Sequence, residues 1–443
     1  MKKRILFFLG AGASYPYLTY DGKNLSTAFL TDCLKNKNLL LAFQKLFFKL
    51  RQDEFSDNFY DFSVEDITKL IGEIEDILKN SNLYQNPNFE HIIHIIDKIS
   101  LYNSSLFGER IQNIDLSLID LFNSSKTISK FPKSEINGVS LIPAFIREYI
   151  IWIIIKCIEN ENEKKKYDKN LYSISSFYEY IMKKFGNISI YNLNYDPLIL
   201  DALVVKNNIA ELGTDENEEF SPSSFVKVKN PLCHLHGYVG NINFEDQRII
   251  LKKNYKNSQN ERIKSYHSAQ NRILDKEKSM KGYHFNTQII TGLDKFDSFS
   301  INPFSSYVHR FARETYSSSF IVMIGVGFED YHLNSFLINT ISTFNKKIIF
   351  VNKMSPEQVI DGLSLGINSP NLISNLLNRF NDKISVSGVW DYNNPNRLYE
   401  KYQNNLHSQL VQKGYGNLSN RMLIYIKGVE DFYKERDQLF DSI

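Results

Sequence analysis

Four short segments of this chain carry the residue types that catalysis would need. Residues 10–14 read Gly-Ala-Gly-Ala-Ser, and residues 192–196 read Asn-Leu-Asn-Tyr-Asp, each after an apolar run. Residues 234–237 read His-Leu-His-Gly, and residues 325–328 read Gly-Val-Gly-Phe, again after apolar runs. A glycine turn after a strand can hold a phosphate, while amide, carboxylate and imidazole groups can act on what the turn holds. The combination favours a nucleotide-cleaving enzyme.

The first glycine turn has the composition of a phosphate-binding loop. Gly10 and Gly12 allow the backbone to approach a phosphate closely, Ala11 lies between them, and Ser14 adds a hydroxyl donor. The dehydrogenase fingerprint would need glycine where Tyr15 stands, and the chain has no Gly-Lys-Ser/Thr of a Walker loop. The loop is therefore nucleotide-like but belongs to neither common class. A tight turn without a ligand is the alternative explanation.

The second segment supplies an amide and a carboxylate at a strand end. Asn194 and Asp196 alternate along the chain, so both side chains can face the same side. Asp196 also precedes Pro197, a position that suits a helix cap. Asn192 lies two residues before Asn194, so its side chain can face the same side, and it stays an alternative for the active role.

The third segment offers a general base. His236 precedes Gly237 at a strand end, and an imidazole changes charge near neutral pH. His234 is predicted to share its strand face and is the alternative, because a histidine in such a run is often structural.

The last glycine turn and one later asparagine complete the predicted site. Gly325 and Gly327 allow close backbone approach, and Phe328 follows them. Asn352, directly after another apolar run, has the position expected of a ribose contact.

Alternating strand and helix patterns must position these segments. Continuous apolar runs predict buried strands at residues 5–9, 188–191, 225–228, 232–235, 320–324 and 347–351. Helical spacing predicts helices within residues 25–50, 64–78, 89–99, 142–159, 174–185, 197–205 and 333–343. We therefore expect an α/β fold, a doubly wound, mostly parallel Rossmann-like sheet. Ligands of such sheets bind beyond the carboxyl ends of the strands, where all four segments fall.

The patterns also predict the domain organisation. Residues 1–353 form the nucleotide-binding domain, interrupted by a large helical insertion at about residues 30–130. Residues 354–443 form a mostly helical C-terminal region with a strand-like run at 384–389, and this region is a candidate for oligomerisation.

Composition gives no indication of several classes of protein. The net charge of +2 gives no general attraction to nucleic acid or to anionic membranes. The 3 cysteines cannot form a disulfide framework or a four-cysteine zinc site, which suits a reducing cytoplasm. The apolar run at residues 149–158 is too short to span a membrane. We expect a cytoplasmic protein without a metal.

The set of motifs resembles the sirtuin family. That family carries a Gly-Ala-Gly-x-Ser loop, a Thr-Gln-Asn-x-Asp motif, a His-Gly pair, a later glycine turn and an asparagine after the next strand. Residues 10–14, 194–196, 236–237, 325–328 and 352 match these in order. Asn192 and Leu193 stand where the family has Thr and Gln, and the family's zinc cysteines are missing.

The resemblance is greatest to bacterial sirtuin-like proteins of antiphage defence. It implies hydrolysis of NAD, as substrate, to nicotinamide and ADP-ribose, which depletes the cell's NAD on infection. It also implies a homo-oligomer, in some members with a hexameric P-loop ATPase partner. A zinc-free NAD-dependent deacylase and a non-catalytic NAD- or ADP-ribose-binding module remain alternatives.

The resemblance implies a role for each site residue. Asn194 would position water or the nicotinamide ribose, Asp196 would bind the nicotinamide end, and His236 would be the general base. The pyrophosphate would lie on Gly10, Ala11, Gly12 and Ser14, and the adenosine half on Gly325, Gly327, Phe328 and Asn352.

Overall fold

The fold of this protein comes from a computed structural model. It describes residues 4–20, 23–51, 63–80, 87–102, 142–159, 161–243, 249–263, 289–290, 302–328, 330, 333–337, 340, 346–364, 395–419 and 422–441.

Seven strands form one sheet at the centre of the molecule. Its strands are β1 (Arg4–Leu9), β4 (Asn187–Asn192), β5 (Leu232–His234), β8 (Phe320–Ile324), β9 (Lys347–Val351), β10 (Tyr415–Ser419) and β11 (Met422–Tyr425). Two separate antiparallel pairs are β2 (Thr19–Tyr20) with β3 (Lys23–Asn24) and β6 (Asn241–Asn243) with β7 (Ile249–Leu251). The sheet order is β10-β11-β9-β8-β1-β4-β5, and every neighbouring pair is parallel except β10 with β11. The predicted α/β fold with a mostly parallel, Rossmann-like sheet is confirmed.

Helices cover the sheet and form the insertion. They are α1 (Thr27–Leu34), α2 (Lys37–Arg51), α3 (Val64–Asn80), α4 (Phe89–Tyr102), α5 (Ile142–Glu159), α6 (Glu161–Phe185), α7 (Pro222–Lys227), α8 (Phe304–Ser317), α9 (Pro356–Ser364), α10 (Pro395–Lys413), α11 (Val429–Lys434) and α12 (Arg436–Asp441). Residues 103–141 of the predicted insertion lie outside the described residues.

Strand β1 lies inside the sheet and is buried on both faces. Phe7 packs against Tyr178 of α6, with ring centroids 4.9 Å apart, and Phe8 stacks on Phe311 of α8 at 5.3 Å. Consecutive side chains of a strand point to opposite faces, so α6 and α8 cover opposite sides of the sheet. This explains why β1 is a continuous apolar run rather than an alternating one.

The carboxyl ends of β4, β1 and β8 lie level with one another. Leu9 pairs with Asn192 of β4 on one side and with Ile324 of β8 on the other. The chain leaves β1 toward β4 and leaves β8 in the opposite direction, toward β9. The loops after β1 and β8 therefore diverge and open a crevice at this edge of the sheet.

Several predicted elements match the structure closely. Helix α5 and strands β8 and β9 have the predicted bounds, and α6 ends at the predicted residue. Gly186 follows α6 with φ of 105°, and its amide donates to Met182 O at 2.9 Å, as a glycine C-cap should.

The strand predicted at residues 225–228 is wrong. Residues 225–227 lie in α7 and Val228 is its C-cap, because Ser221 caps the start of that helix with its hydroxyl and Pro222 occupies the first turn. Proline is favourable at a helix start, where its missing N–H would have no partner. The apolar run was too short to separate a helix from a strand.

The prediction of a mostly helical C-terminal region missed two strands. Gly414, with φ of 77°, follows α10, and β10 and β11 then extend the main sheet beyond β9. The four apolar residues of β11 are buried, but a run of that length does not reveal its type. The strand-like run at 384–389 lies outside the described residues.

The helix predicted at 197–205 is irregular. A short α-helical turn, Leu198–Leu200, continues into a π-helical turn, Asp201–Val205. Asp201 accepts hydrogen bonds from the hydroxyls of Tyr167 and Tyr255, at 2.7 and 2.9 Å. These contacts tie the segment after β4 to α6 and to the segment following β7.

A buried ion pair anchors the chain that follows His236. Glu148 of α5 and Arg262 have fully buried side chains, with Nε to Oε1 at 2.9 Å and Nη2 to Oε2 at 3.2 Å. Arg262 Nη1 also donates to the carbonyl of Val239 at 2.7 Å. Arg262 therefore connects α5 to the segment that follows His236, the predicted general base.

We expect Glu148→Gln to lower the free energy of unfolding by about 3–5 kcal/mol, because it removes the carboxylate that pairs with the buried Arg262 charge. Urea denaturation followed by circular dichroism measures this. The control is Glu159→Gln on the same helix, where a partly exposed carboxylate lies 3.5 Å from Lys156 Nζ. The control should change stability by less than about 1 kcal/mol. Equal effects of the two variants would contradict the assigned role of the buried pair.

Candidate functional site

The glycine turns after β1 and β8 pack against each other. A Cβ atom on Gly10 would lie 2.4 Å from the Gly325 carbonyl oxygen, and one on Gly12 would lie 2.6 Å from Gly325 Cα. The Gly12 amide donates to Gly325 O at 3.1 Å, and Gly325 has φ of 62°. All three glycines are thus required by the contact between the two loops.

The β1 loop offers fewer free amides than a phosphate-binding loop would. The amides of Gly10, Gly12, Ala13 and Ser14 all donate to backbone carbonyls, so within the described loop only that of Ala11 has no backbone acceptor. The loop also continues into a three-residue 3-10 helix, Ala11–Ala13, and the first α-helix begins only at Thr27. The loop therefore lacks the several free N–H groups that a helix start offers to a phosphate.

A cavity of about 300 Å³ lies at this edge of the sheet. Its volume is at the lower end of the range of about 300–1,000 Å³ for small-molecule sites. All residues predicted for the site line it, namely Gly10, Ala11, Gly12, Ser14, Asn194, Asp196, His236, Gly325, Gly327, Phe328 and Asn352. Segments more than 300 residues apart thus meet around one space, and the roles of these residues stay predictions.

Asn194 links the end of β4 to the β1 loop. Its Nδ2 donates to Gly10 O and to Ser14 Oγ, both at 2.9 Å. Since a carbonyl oxygen can only accept, the amide nitrogen must face Gly10. Oδ1 of Asn194 is left to accept a hydrogen bond from water or from a ribose hydroxyl in the cavity.

Asp196 caps the helical turn after β4 and also lines the cavity. Its Oδ1 accepts a hydrogen bond from the Leu198 amide at 3.1 Å, as the capping prediction requires. Burial raises the pKa of Asp196 to about 6, although hydrogen bonds from the Ser14 hydroxyl and the Leu198 amide act in the opposite direction.

His236 lies on the cavity wall with an unusual ring environment. The side chain is 3% exposed, and Nε2 is 3.3 Å from Asp330 Oδ1. The alignment is not that of a hydrogen bond, so within the described structure Nε2 is buried without a hydrogen-bond partner. The backbone is fixed because the Ile290 amide donates to His236 O at 2.8 Å.

Asn192 and His234 take structural positions. Both are almost fully buried, and neither lines the described wall of the cavity. Asn192 Oδ1 accepts from the Asn194 amide at 3.1 Å, and His234 Nδ1 lies 3.3 Å from Asn194 O. Burial lowers the pKa of His234 to about 4, so its ring is neutral at pH 7. Asn194 and His236 are the members of each pair that face the cavity.

Sequence reasoning missed the wall that the helical insertion supplies. Ser26 and Thr27 at the start of α1, and Asn88, Phe89 and Glu90 at the start of α4, line the cavity. Tyr195 joins this wall to the core, because its hydroxyl lies 2.8 Å from Glu90 Oε1. None of these residues was predicted for the site from the sequence, because the start of a helix does not by itself indicate a site.

Two further asparagines hold the backbone of the site. Asn334 Nδ2 donates to Phe328 O at 2.8 Å, which stabilises the left-handed φ of 58° at Phe328. The backbone amide of Asn352 donates to Tyr425 O at 3.0 Å. Strand β11, which the sequence did not predict, therefore positions the residue that was predicted to contact the ribose.

Gly327 differs from the other glycines of the site. A Cβ atom there would meet nothing within 4 Å, and its φ lies outside the left-handed region. Close packing within the protein therefore does not require a glycine at this position of the cavity wall.

The cavity is acidic. Its charged lining groups are the carboxylates of Glu90, Asp196 and Asp330 beside His236, and no lysine or arginine belongs to the described wall. Such a wall favours a cationic ligand group and disfavours an anionic one.

Neither a metal site nor a membrane span was found in the described parts of the chain. No three histidine, cysteine or acidic residues there are grouped so that they could hold a metal ion. None of the helices described there has both the length and the apolar character to cross a membrane.

Comparison with known proteins identifies no relative. No protein-family model matches the chain, and no curated protein is significantly similar to it.

The raised pKa of Asp196 predicts a specific pH dependence of stability. The unfolded chain loses this proton near pH 4 and the folded chain near pH 6, so the ionised carboxylate destabilises the fold above that range. Relative to that of Asp196→Asn, the free energy of unfolding of the wild type should fall by about 2–3 kcal/mol between pH 4 and pH 7. Above pH 7 the difference between the two proteins should not change further. Urea denaturation of both proteins across this range measures it, and a constant difference would disprove the raised pKa.

Proposed function

We propose that the protein is an NAD hydrolase that cleaves the bond between nicotinamide and ribose, giving nicotinamide and ADP-ribose. The observation that carries the proposal is that the Asn194 amide and the His236 imidazole line one cavity at the crevice of a doubly wound sheet. The order of the motifs resembles the sirtuin family, which supports NAD as the nucleotide.

The proposed binding mode follows the roles that the resemblance implies for these residues. The pyrophosphate lies along residues 10–14, where the Ala11 amide is the available backbone donor. The nicotinamide ribose lies toward Asn194 and His236. The adenosine half lies on Gly325, Gly327, Phe328 and Asn352, on the β8 and β9 side of the crevice.

The acidic wall suits the charge that develops during cleavage. As the glycosidic bond breaks, its electron pair leaves with nicotinamide and positive charge spreads over the ribose ring. Carboxylates held near that ring, such as Asp196, stabilise this charge, and they also favour the cationic nicotinamide of the oxidised cofactor.

Water completes the proposed reaction. Asn194 Oδ1 orients the water or a ribose hydroxyl near the anomeric carbon, which lowers the barrier by proximity. His236 accepts the proton as the water oxygen bonds to that carbon. The products are nicotinamide, ADP-ribose and a proton that the base releases to solvent.

The cellular role is proposed from the resemblance alone. The protein would be a cytoplasmic, homo-oligomeric effector of antiphage defence that depletes NAD, in some settings with a hexameric P-loop ATPase.

Replacing His236 should abolish turnover without unfolding the protein. We expect His236→Ala to lower kcat for NAD hydrolysis by about 10²–10⁴-fold, since it removes the general base. Chromatography of NAD after incubation measures this. His309→Ala is the control, because that histidine is exposed on α8, and it should retain wild-type activity.

Other outcomes of this assay decide between the alternatives. Wild-type hydrolysis by the His236 variant would remove that residue from the mechanism. Cleavage only with an acylated peptide, with O-acyl-ADP-ribose as product, would identify a deacylase. NAD that binds to the wild type and stays intact would identify a binding module.

Gly327→Ala tests where the nucleotide lies. The added methyl group fits the fold but projects into space that the proposed ligand occupies, so ADP-ribose should bind about 10–200-fold more weakly. Calorimetric titration measures the affinity. The control is Gly72→Ala inside α3, which also has open space around its Cβ and should stabilise the helix by about 1 kcal/mol without affecting affinity. Unchanged binding to the Gly327 variant would contradict the pose.

A further inference from the structure

We propose that Asp330 is a positioning residue for His236: its carboxylate holds the proton on Nε2 and thereby makes Nδ1 the basic nitrogen of the site. The inference rests on the proposed function in one respect, since it concerns the base of that reaction.

The contact that carries the inference is the approach of Asp330 Oδ1 to His236 Nε2, at 3.3 Å. Both residues line the cavity, and their side chains are 14% and 3% exposed. Nε2 has no hydrogen-bond partner in the described structure, and a buried ring nitrogen without one is costly. A small rotation of either side chain would align the pair, and catalytic hydrogen bonds are often poorly aligned until substrate binds.

The other acidic groups of the cavity have different partners. Glu90 lies against the Tyr195 hydroxyl at 2.8 Å, and Asp196 accepts from the Leu198 amide. Of the carboxylates on the described wall, Asp330 is the one that is paired with the imidazole.

The backbone around Asp330 is well fixed. Its carbonyl accepts hydrogen bonds from the amides of Leu333 and Asn334, at 3.1 and 3.0 Å. The Asn334 side chain in turn donates to Phe328 O at 2.8 Å. The carboxylate is therefore presented from a hydrogen-bonded turn, as a group that orients another side chain should be.

The chemistry of the pair determines the tautomer. An ionised carboxylate can only accept a hydrogen bond, so the ring nitrogen that faces it must carry the proton. A neutral imidazole has one protonated nitrogen, and the lone pair is then on Nδ1. During hydrolysis Nδ1 takes the proton from the attacking water, and the Asp330 charge stabilises the imidazolium that forms.

Nitrogen-15 NMR of ring-labelled histidine tests this in the resting protein, without any turnover. The resonances of His236 are identified by their loss in His236→Gln. At about pH 8, we expect the wild-type ring to be protonated on Nε2 and Asp330→Ala to give a mixture of tautomers. Asp168→Asn, an exposed carboxylate 3.3 Å from Lys206 Nζ, is the control and should leave the spectrum unchanged. A wild-type ring protonated on Nδ1, or one unaffected by Asp330→Ala, overturns the proposal.

A double-mutant cycle on NAD hydrolysis provides the second readout. Asp330→Asn should lower kcat by about 10–1,000-fold with KM and ADP-ribose affinity unchanged, and Asp330→Glu should recover part of the loss. In the His236→Ala background, Asp330→Asn should lower kcat by less than about twofold, because the two residues act as a unit. An equal loss in both backgrounds, or weaker ADP-ribose binding, would indicate a structural role and overturn the proposal.

The two readouts separate this inference from the proposed function. If the wild type leaves NAD intact while the NMR result is as expected, the proposed function fails and the pairing stands. If NAD is hydrolysed but the tautomer does not depend on Asp330, the pairing fails and the proposed function stands.

Discussion

The contact between the glycine turns after β1 and β8 is the constraint on which the site depends. Gly12 and Gly325 approach so closely that neither could carry a side chain without moving the other's backbone. Asn194 adds a hydrogen bond from β4 to Gly10, so three parallel strands are joined at their carboxyl ends. The cavity exists because these loops are held together at their bases and diverge beyond them.

The cavity combines carboxylates with a loop that offers few backbone donors. The carboxylates of Glu90, Asp196 and Asp330 line it together with His236, and the β1 loop contributes backbone and the Ser14 hydroxyl, which donates to Asp196. A dinucleotide would meet this wall with its cationic ring toward the acids and its phosphates toward the loop. Because the loop has few free amides, we infer that much of the binding free energy comes from the sugar and base contacts rather than from the pyrophosphate.

The sequence predicted the strands that carry the site and eleven of the residues that line the cavity, because buried parallel strands and glycine turns have strong local signals. It did not predict α7, where a cap and a proline outweighed a short apolar run, or the strands β10 and β11, of which β11 pairs with β9, about 70 residues earlier in the chain. It could not decide whether Asn194 or Asn192 faces the cavity, because the two are two residues apart and an extended chain points both to the same side. It also gave no sign that Glu90 lines the cavity. Those distinctions depend on tertiary contacts that no local pattern records.

The placement of β1 has a consequence for biosynthesis. β1 is an interior strand whose two neighbours, β4 and β8, follow it about 180 and 315 residues later in the chain. Such long sequence separations slow folding, since distant segments must close large loops before they are stabilised. The cavity wall runs from Phe8 to Asn352, so a ribosome-bound chain shorter than that has no complete pocket. Any activity that arises there requires a chain made at least as far as Asn352.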